Sequence, residues 1–262
     1  MNNESAYAKP EIWGGIECTI NRTKDGYRDQ LEETGHYARG GDLAALCSLG
    51  FTRFRYPILW ERHFPVKEKS ANWEWTARQL DILREHNIEP IAGLLHHGSG
   101  PAHTDLLDPD FPEKLAAHAR EVASAFPWIR YYTPVNEPLT TARFSGLYGF
   151  WYPHAKSDAA FARMLINQVK GIVLCMKAIR EINPDAVLIQ TEDLSKTHST
   201  PALAEQAAFE NERRWLPLDL LTGNSAPGSF AWKYFTDHGI DEDELTFFEP
   251  SFICPSLSNT FC

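Results

Sequence analysis

The chain has little of what marks several common protein classes. Its five cysteines (Cys18, Cys47, Cys175, Cys254 and Cys262) are odd in number, far apart and without any C-x-x-C pair. Neither a disulfide framework nor a thiolate zinc cage is suggested, and Cys18, Cys47 and Cys175 are expected as buried free thiols. No G-x-G-x-x-G follows a strand-like run, which counts against a dinucleotide-binding sheet. Basic residues are the minority: 25 Lys and Arg stand against 35 Asp and Glu, for a formal charge of −10 and an isoelectric point near 5.5. That sign works against nucleic acid or an anionic membrane surface as the main partner, because both are polyanions. A neutral small molecule fits better. No apolar run approaches the roughly 20 residues that cross a bilayer, and the N-terminal stretch has neither the basic start nor the apolar core of a signal peptide. A cytoplasmic protein is expected.

What is present is material for a large core. Hydrophobic residues make up 43% and aromatics 12%, with an ordinary 23% charged, and 262 residues suit one sheet-and-helix domain spanning 1–262. Strand-like runs alternate with helical patterns. E-I-W-G-G-I-E (11–17) is the first strand, and Leu43, Leu46 and Cys47 then recur at helical spacing before Gly50. F-T-R-F-R-Y-P-I-L-W (51–60), I-E-P-I-A-G-L-L (88–95), W-I-R-Y-Y-T-P-V (128–135) and A-V-L-I-Q-T (186–191) supply four more strands. Helices are predicted over 72–87 behind Asn72, over 108–126 with a proline in the first turn, and over 157–184, capped by Ser157 or Asp158 and ended by Asn183-Pro184. Repeated strand-then-helix units imply a parallel sheet with right-handed crossovers. A doubly wound sheet and a (β/α)8 barrel both satisfy the pattern. Beyond residue 200 the chain reads as helical, with no sixth strand.

Ligands of such sheets sit at the carboxyl ends of the strands. There the chain places Glu17, Arg55, His96 with His97, Asn136 with Glu137, and Glu192 with Asp193. Acids follow three of these five strands. Paired carboxylates beside an Arg, an Asn and a His are what glycoside hydrolysis requires: one protonated acid for the leaving oxygen, one carboxylate to attack or to activate water, and hydrogen bonds to sugar hydroxyls. A metal reading would rest on His96, His97 and His103. Adjacent residues on a strand point to opposite faces, however, so His96 and His97 are not expected to share an ion, and neither metal nor cofactor is expected.

Within Y-Y-T-P-V-N-E-P, and preceded by R-F-R-Y-P-I-L-W and L-L-H-H-G-S-G-P in that order, the Asn136-Glu137-Pro138 triplet carries a resemblance. From about Trp13 to about Phe248 the sequence resembles glycoside hydrolase family 1, the β-glucosidase and β-galactosidase family of retaining enzymes on a (β/α)8 barrel. The resemblance implies Glu137 as general acid/base, Asn136 as the residue holding the sugar 2-hydroxyl, His96 as a sugar-binding His, and Arg55 as the Arg that pairs with the nucleophile. His97 stands where the family usually has Trp, and Glu17 where it has a sugar-binding Gln. Burial among Tyr132, Tyr148 and Trp151 is expected to raise the pKa of Glu137 and to offer aromatic faces to a sugar, Trp151 among the substrate-binding residues.

The resemblance also implies a nucleophilic Glu at the end of a seventh strand in a T-E-N-G-like setting, and no such segment is found. An incomplete barrel of about five βα units, lacking the last strands, is therefore expected, with a divergent tail at about 250–262. Glu192 is the best-placed replacement carboxylate, with Asp193 and Glu17 behind it. Open barrel edges would favour a homo-oligomer. Two readings follow: a β-glycosidase acting on small β-glucosides or β-galactosides, or a catalytically inactive remnant that binds sugar or assembles with itself.

Overall fold

The computed structural model describes residues 10–23, 26–65 and 71–248. The expected divergent tail at 250–262, with Cys254 and Cys262, lies outside them.

Five parallel strands form the central sheet: β1 (Trp13–Gly15), β4 (Arg53–Pro57), β5 (Glu89–Gly93), β6 (Tyr131–Thr133) and β7 (Val187–Leu188). Between the first two of these, β2 (Ile20–Thr23) and β3 (Gly26–Asp29) form an antiparallel hairpin that the sequence pattern did not signal. The order β1-β4-β5-β6-β7 follows the chain without reversal. That order decides between the two architectures left open by the sequence. A doubly wound sheet needs a point where the order turns back, whereas consecutive parallel neighbours joined by same-handed crossovers curl into an arc of a barrel. The protein is an α/β fold of this kind, a five-stranded part of a (β/α) barrel.

The five strands fall where the alternating runs predict, each shorter than its run. Pairing breaks off where side chains turn toward the carboxyl ends. β7 is only two residues long, and Ile189 N still donates to Tyr132 O at 2.8 Å beyond it. Helices cover the outer face. Asn72 Oδ1 accepts from Glu74 N at 2.9 Å, but the N-cap of the helix Glu74–Glu85 is Trp73, so the expected cap stands one residue ahead of it. Pro112 sits in the first turn of Phe111–Ala125. Ser157 Oγ accepts from Ala160 N to open Asp158–Arg180.

This last helix is 23 residues long and, by length and composition, apolar enough to cross a membrane. That corrects the expectation of no such run: Asn167, Gln168 and Lys170 interrupt the apolar sequence without interrupting the helix. Its place is interior, because 72% of its most apolar window is buried inside the protein. Asn167 Nδ2 donates to Leu106 O at 2.9 Å, and Gln168 Nε2 to Pro138 O at 3.2 Å, so two buried polar residues tie it to neighbouring loops. Cys18, Cys47 and Cys175 are buried and unpaired, as expected.

Candidate active site

Beyond the ends of β5 and β6 the two chains stay together for one more contact, a parallel bridge between His96 and Asn136. Asn136 N donates to Leu95 O, and Glu137 N to Thr191 O. These backbone bonds carry the register of the sheet up to the residues with reactive side chains. Directly after the bridge, His97 (φ +54°) and Glu137 (φ +45°) turn into left-handed backbone. Neither is glycine, so each conformation costs on the order of 1–3 kcal/mol and is held by its surroundings.

The turn at His97 overturns one expectation. Alternation along a strand would send His96 and His97 to opposite faces, but the left-handed residue swings the second ring back, and the two rings lie 4.8 Å apart. Both face Asn136, whose Nδ2 lies 3.4 Å from His96 Nε2 and 3.2 Å from His97 Nε2. The orientation of that amide is fixed from its other side. Arg55 donates to Oδ1 through NH1, and Thr191 Oγ1 donates to it at 2.9 Å, so the carbonyl end must face the donors and the NH2 the imidazoles. His97 Nδ1 then carries the proton, donated to Thr141 Oγ1 at 3.0 Å. Burial lowers the pKa of both histidines to about 4, and both rings are neutral at pH 7.

Glu17 reaches the cluster from the loop after β1, its Oε1 2.9 Å from His96 Nε2. Glu137 Oε2 lies 3.7 Å from His97 Nε2, with the side chain one-third exposed. Burial raises its pKa, Asp193 and Glu17 add repulsion, and a Thr140 hydrogen bond and the Arg55 charge oppose the rise. Trp151 stands beside His97 with ring centroids 5.3 Å apart, and Phe144 meets Trp151 edge-on at 4.7 Å. Of the other predicted aromatics, Tyr148 is exposed at the rim, while Tyr132 is fully buried in the core and offers no face to a ligand.

Glu192 occupies a different position. Its Oε1 accepts from Leu139 N at 3.2 Å, in the first turn of the helix Pro138–Ala142 that follows Glu137. Burial pushes its pKa up to about 8, against that bond and one from the Asp193 backbone, with Glu137 and Asp193 adding repulsion. Asp193 itself is held low by Ser195, whose hydroxyl and backbone both donate to it. Arg55 does not form an ion pair with either acid among the described residues; its partners are Asn136 and Thr191. His103 lies against the Trp60 ring, 6.0 Å between centroids, and does not belong to the His96–His97 group.

Three participants were not foreseen from sequence. Thr191 precedes Glu192 and orients Asn136, and Thr141 lies one helical turn after Glu137 and orients His97. Their spacing from the acids is the only linear signal. Glu61, buried behind the loop after His97, accepts from Gly100 N at 3.0 Å, and burial raises its pKa to about 7. Nothing in the run L-W-E-R marks that acid as interior.

Comparison with known proteins identifies the family. The family model described as Glycosyl hydrolase family 1 matches residues 10–220. Coniferin beta-glucosidase from Pinus contorta is 26% identical over 137 residues, 49% of this chain and 27% of the relative. Beta-glucosidase 4 from Oryza sativa subsp. japonica is 28% identical over 140 residues, 50% of this chain and 29% of the relative. Among solved structures, a family 1 β-glucosidase from Thermotoga maritima superimposes with a TM-score of 0.75 at 16% identity, covering 94% of this chain and 63% of that one. The same organism's β-glucosidase in complex with cyclophellitol gives 0.72 at 18% identity, covering 83% and 52%. The matched segments thus span under a third of these curated relatives, and the chain spans about half to two thirds of the solved ones.

Proposed function

The chain belongs to glycosyl hydrolase family 1, and from that premise we propose that its strand-end site cleaves small β-glucosides or β-galactosides, with Glu137 as the proton donor. One observation carries this reading. Glu137 sits half-buried with a raised pKa beside neutral His97 and next to an Asn136 amide locked by Arg55 and Thr191. A carboxyl whose proton-bearing form is favoured by a partly dry pocket suits a departing glycosidic oxygen, and fixed amide and imidazole groups offer hydrogen bonds to sugar hydroxyls. Trp151 supplies an aromatic face beside them. The relatives are named β-glucosidases, and solved T. maritima structures hold cyclophellitol, deoxynojirimycin and galacto-hydroximolactam, which supports a glycoside as the ligand class.

The second carboxyl in this proposal is Glu192. As base or nucleophile it must be ionised, and burial holds its proton up to about pH 8. The productive state, Glu137 protonated and Glu192 ionised, is therefore scarce at neutral pH. Turnover through this pair requires Glu192 to lose a proton that burial holds up to about pH 8 while Glu137 keeps its own, which burial favours. Release of nitrophenol from nitrophenyl β-glucoside between pH 5 and 9 tests the pair, and unchanged turnover in Glu192→Gln removes Glu192 from it. The anomer first released reports retention or inversion.

A second reading is sugar binding without turnover. It is favoured by the engagement of Glu192 at the start of the helix Pro138–Ala142, where both its oxygens lie within 3.4 Å of Leu139 N. Calorimetric binding of deoxynojirimycin by a chain that releases no nitrophenol selects this reading. In either case β1 and β7 each pair with one strand among the described residues, and Ile12 and Trp13 are exposed beside β1. Self-association through these edges is part of the proposal, and a monomer by light scattering at micromolar concentration removes it.

A further inference from the structure

Glu17, His96 and His97 bring one carboxylate oxygen and two imidazole nitrogens to within 4.8 Å of one another. We propose that this triad, at the mouth of the pocket, is a binding site for a borderline divalent transition ion of the Zn2+ type, independent of whether the chain turns over a glycoside.

Three features of the geometry lead there. First, Nε2 of both imidazoles turns toward one place, where the Asn136 amide nitrogen is the neighbour of each. The Asn136 amide is turned by Arg55 and Thr191 so that its NH2 group faces Nε2 of both rings. His97 gives its Nδ1 proton to Thr141 Oγ1, which fixes the ring and leaves Nε2 unprotonated, with its lone pair on the Asn136 amide until an ion takes that place. Second, His96 Nε2 is asked for two incompatible things. At 2.9 Å from Glu17 Oε1 it needs a proton to donate, and at 3.4 Å from Asn136 Nδ2 it needs a lone pair to accept. One nitrogen cannot do both. A cation between the His96 lone pair and the Glu17 carboxylate satisfies both of these atoms at once, in place of the 3.4 Å contact with Asn136. Third, the Glu17 carboxylate brings negative charge to the solvent side of the rings, 2.9 Å from His96 Nε2.

Two imidazoles and a carboxylate suit borderline ions such as Zn2+ or Co2+ better than Mg2+ or Ca2+, which favour all-oxygen shells. The Glu17 side chain is 60% exposed, so an ion enters from solvent with little rearrangement. A fourth ligand comes from water or from Glu137.

The experiment is calorimetric titration of the chelator-treated full chain with ZnCl2, in wild type, Glu17→Gln and His97→Asn. Expected is one ion per chain with an affinity on the order of micromolar or tighter, weakened roughly tenfold or more by each variant. Glu17→Gln preserves shape at a solvent-facing position and so keeps the comparison free of folding effects. Titration with CoCl2 gives a second readout, a visible absorption band from an imidazole-bound ion in wild type that is lost in His97→Asn. Absence of binding up to millimolar Zn2+, or equal affinity in wild type and both variants, overturns the proposal.

Discussion

His97 Nε2 lies 3.7 Å from Glu137 Oε2, and both residues hold left-handed backbone directly after a pair of bridged neighbours, His96 and Asn136. Adjacent strands of the barrel arc therefore end in the same way. Each runs one residue past its last bridge and then turns a side chain inward at a conformational cost. Four reactive groups are gathered in this manner from positions up to 41 residues apart, and several consequences can be measured.

Glu137→Gln keeps the shape of the proton donor and removes its proton. Turnover of nitrophenyl β-glucoside is expected to fall by about 10²–10⁴ at the wild-type optimum, with deoxynojirimycin binding retained within a few-fold. Activity within a factor of about three of wild type would show that another group protonates the leaving oxygen.

Burial of Glu192 makes stability depend on pH. Its folded pKa of about 8 lies above the ordinary 4.5 of a free Glu, so the native state holds a proton that the unfolded chain releases. The contribution is fully present below about pH 4.5, declines as pH rises from there, and is gone above about pH 8. Urea unfolding at pH 5 and pH 8.5 is expected to show a loss on the order of a few kcal/mol from this group. In Glu192→Gln that part of the slope disappears; an unchanged slope would mean that Glu192 is ionised in the native protein at neutral pH.

Thr191→Val removes a donor to Asn136 Oδ1 while keeping volume nearly constant. Arg55 still holds the carbonyl end, so the amide loses one of two anchors. A cost of about 1 kcal/mol in orienting Asn136 is expected, read as a several-fold rise in KM for the aryl glucoside with little change in kcat. An effect confined to kcat would argue that Thr191 acts on the reacting atoms.

Gly98→Ala tests the support behind His97. An added Cβ would clash with Glu61 Oε1 and meet Ile20 O at 3.2 Å, and Glu61 is buried with Oε1 bonded to Gly100 N. Destabilisation of about 1–3 kcal/mol is expected, a fall of several degrees in Tm. Adding Glu61→Ala removes the clashing atom, so the double variant should be more stable than additivity predicts. Purely additive effects would place the strain elsewhere in the loop.

The order of strands and helices was legible because each carries a local signal: alternation in F-T-R-F-R-Y-P, an asparagine at 72, a serine at 157 and a proline at 112. Polar residues at the strand ends were legible for the same reason, and the structure places Glu17, Arg55, His96, His97, Asn136 and Glu137 in one network. The hairpin β2–β3 was missed, since its residues (Ile20–Thr23 and Gly26–Asp29) alternate too weakly to stand out. The opposed placing of His96 and His97 failed because strand alternation stops at Gly93.

The sequence alone determined which side chains stand at the ends of which strands, because periodicity and capping act within a few residues of each position. Which of them meet was decided by the tertiary structure. Strand order put β6 beside β7 and one strand away from β4, so that Asn136 could be clamped by Thr191 and Arg55, and left-handed backbone at residue 97 brought its ring back beside His96, from which alternation would have separated it. Burial, a property of the whole packed chain, then set the protons: one kept on Glu192, and a second kept off each of the His96 and His97 rings, so that both stay neutral.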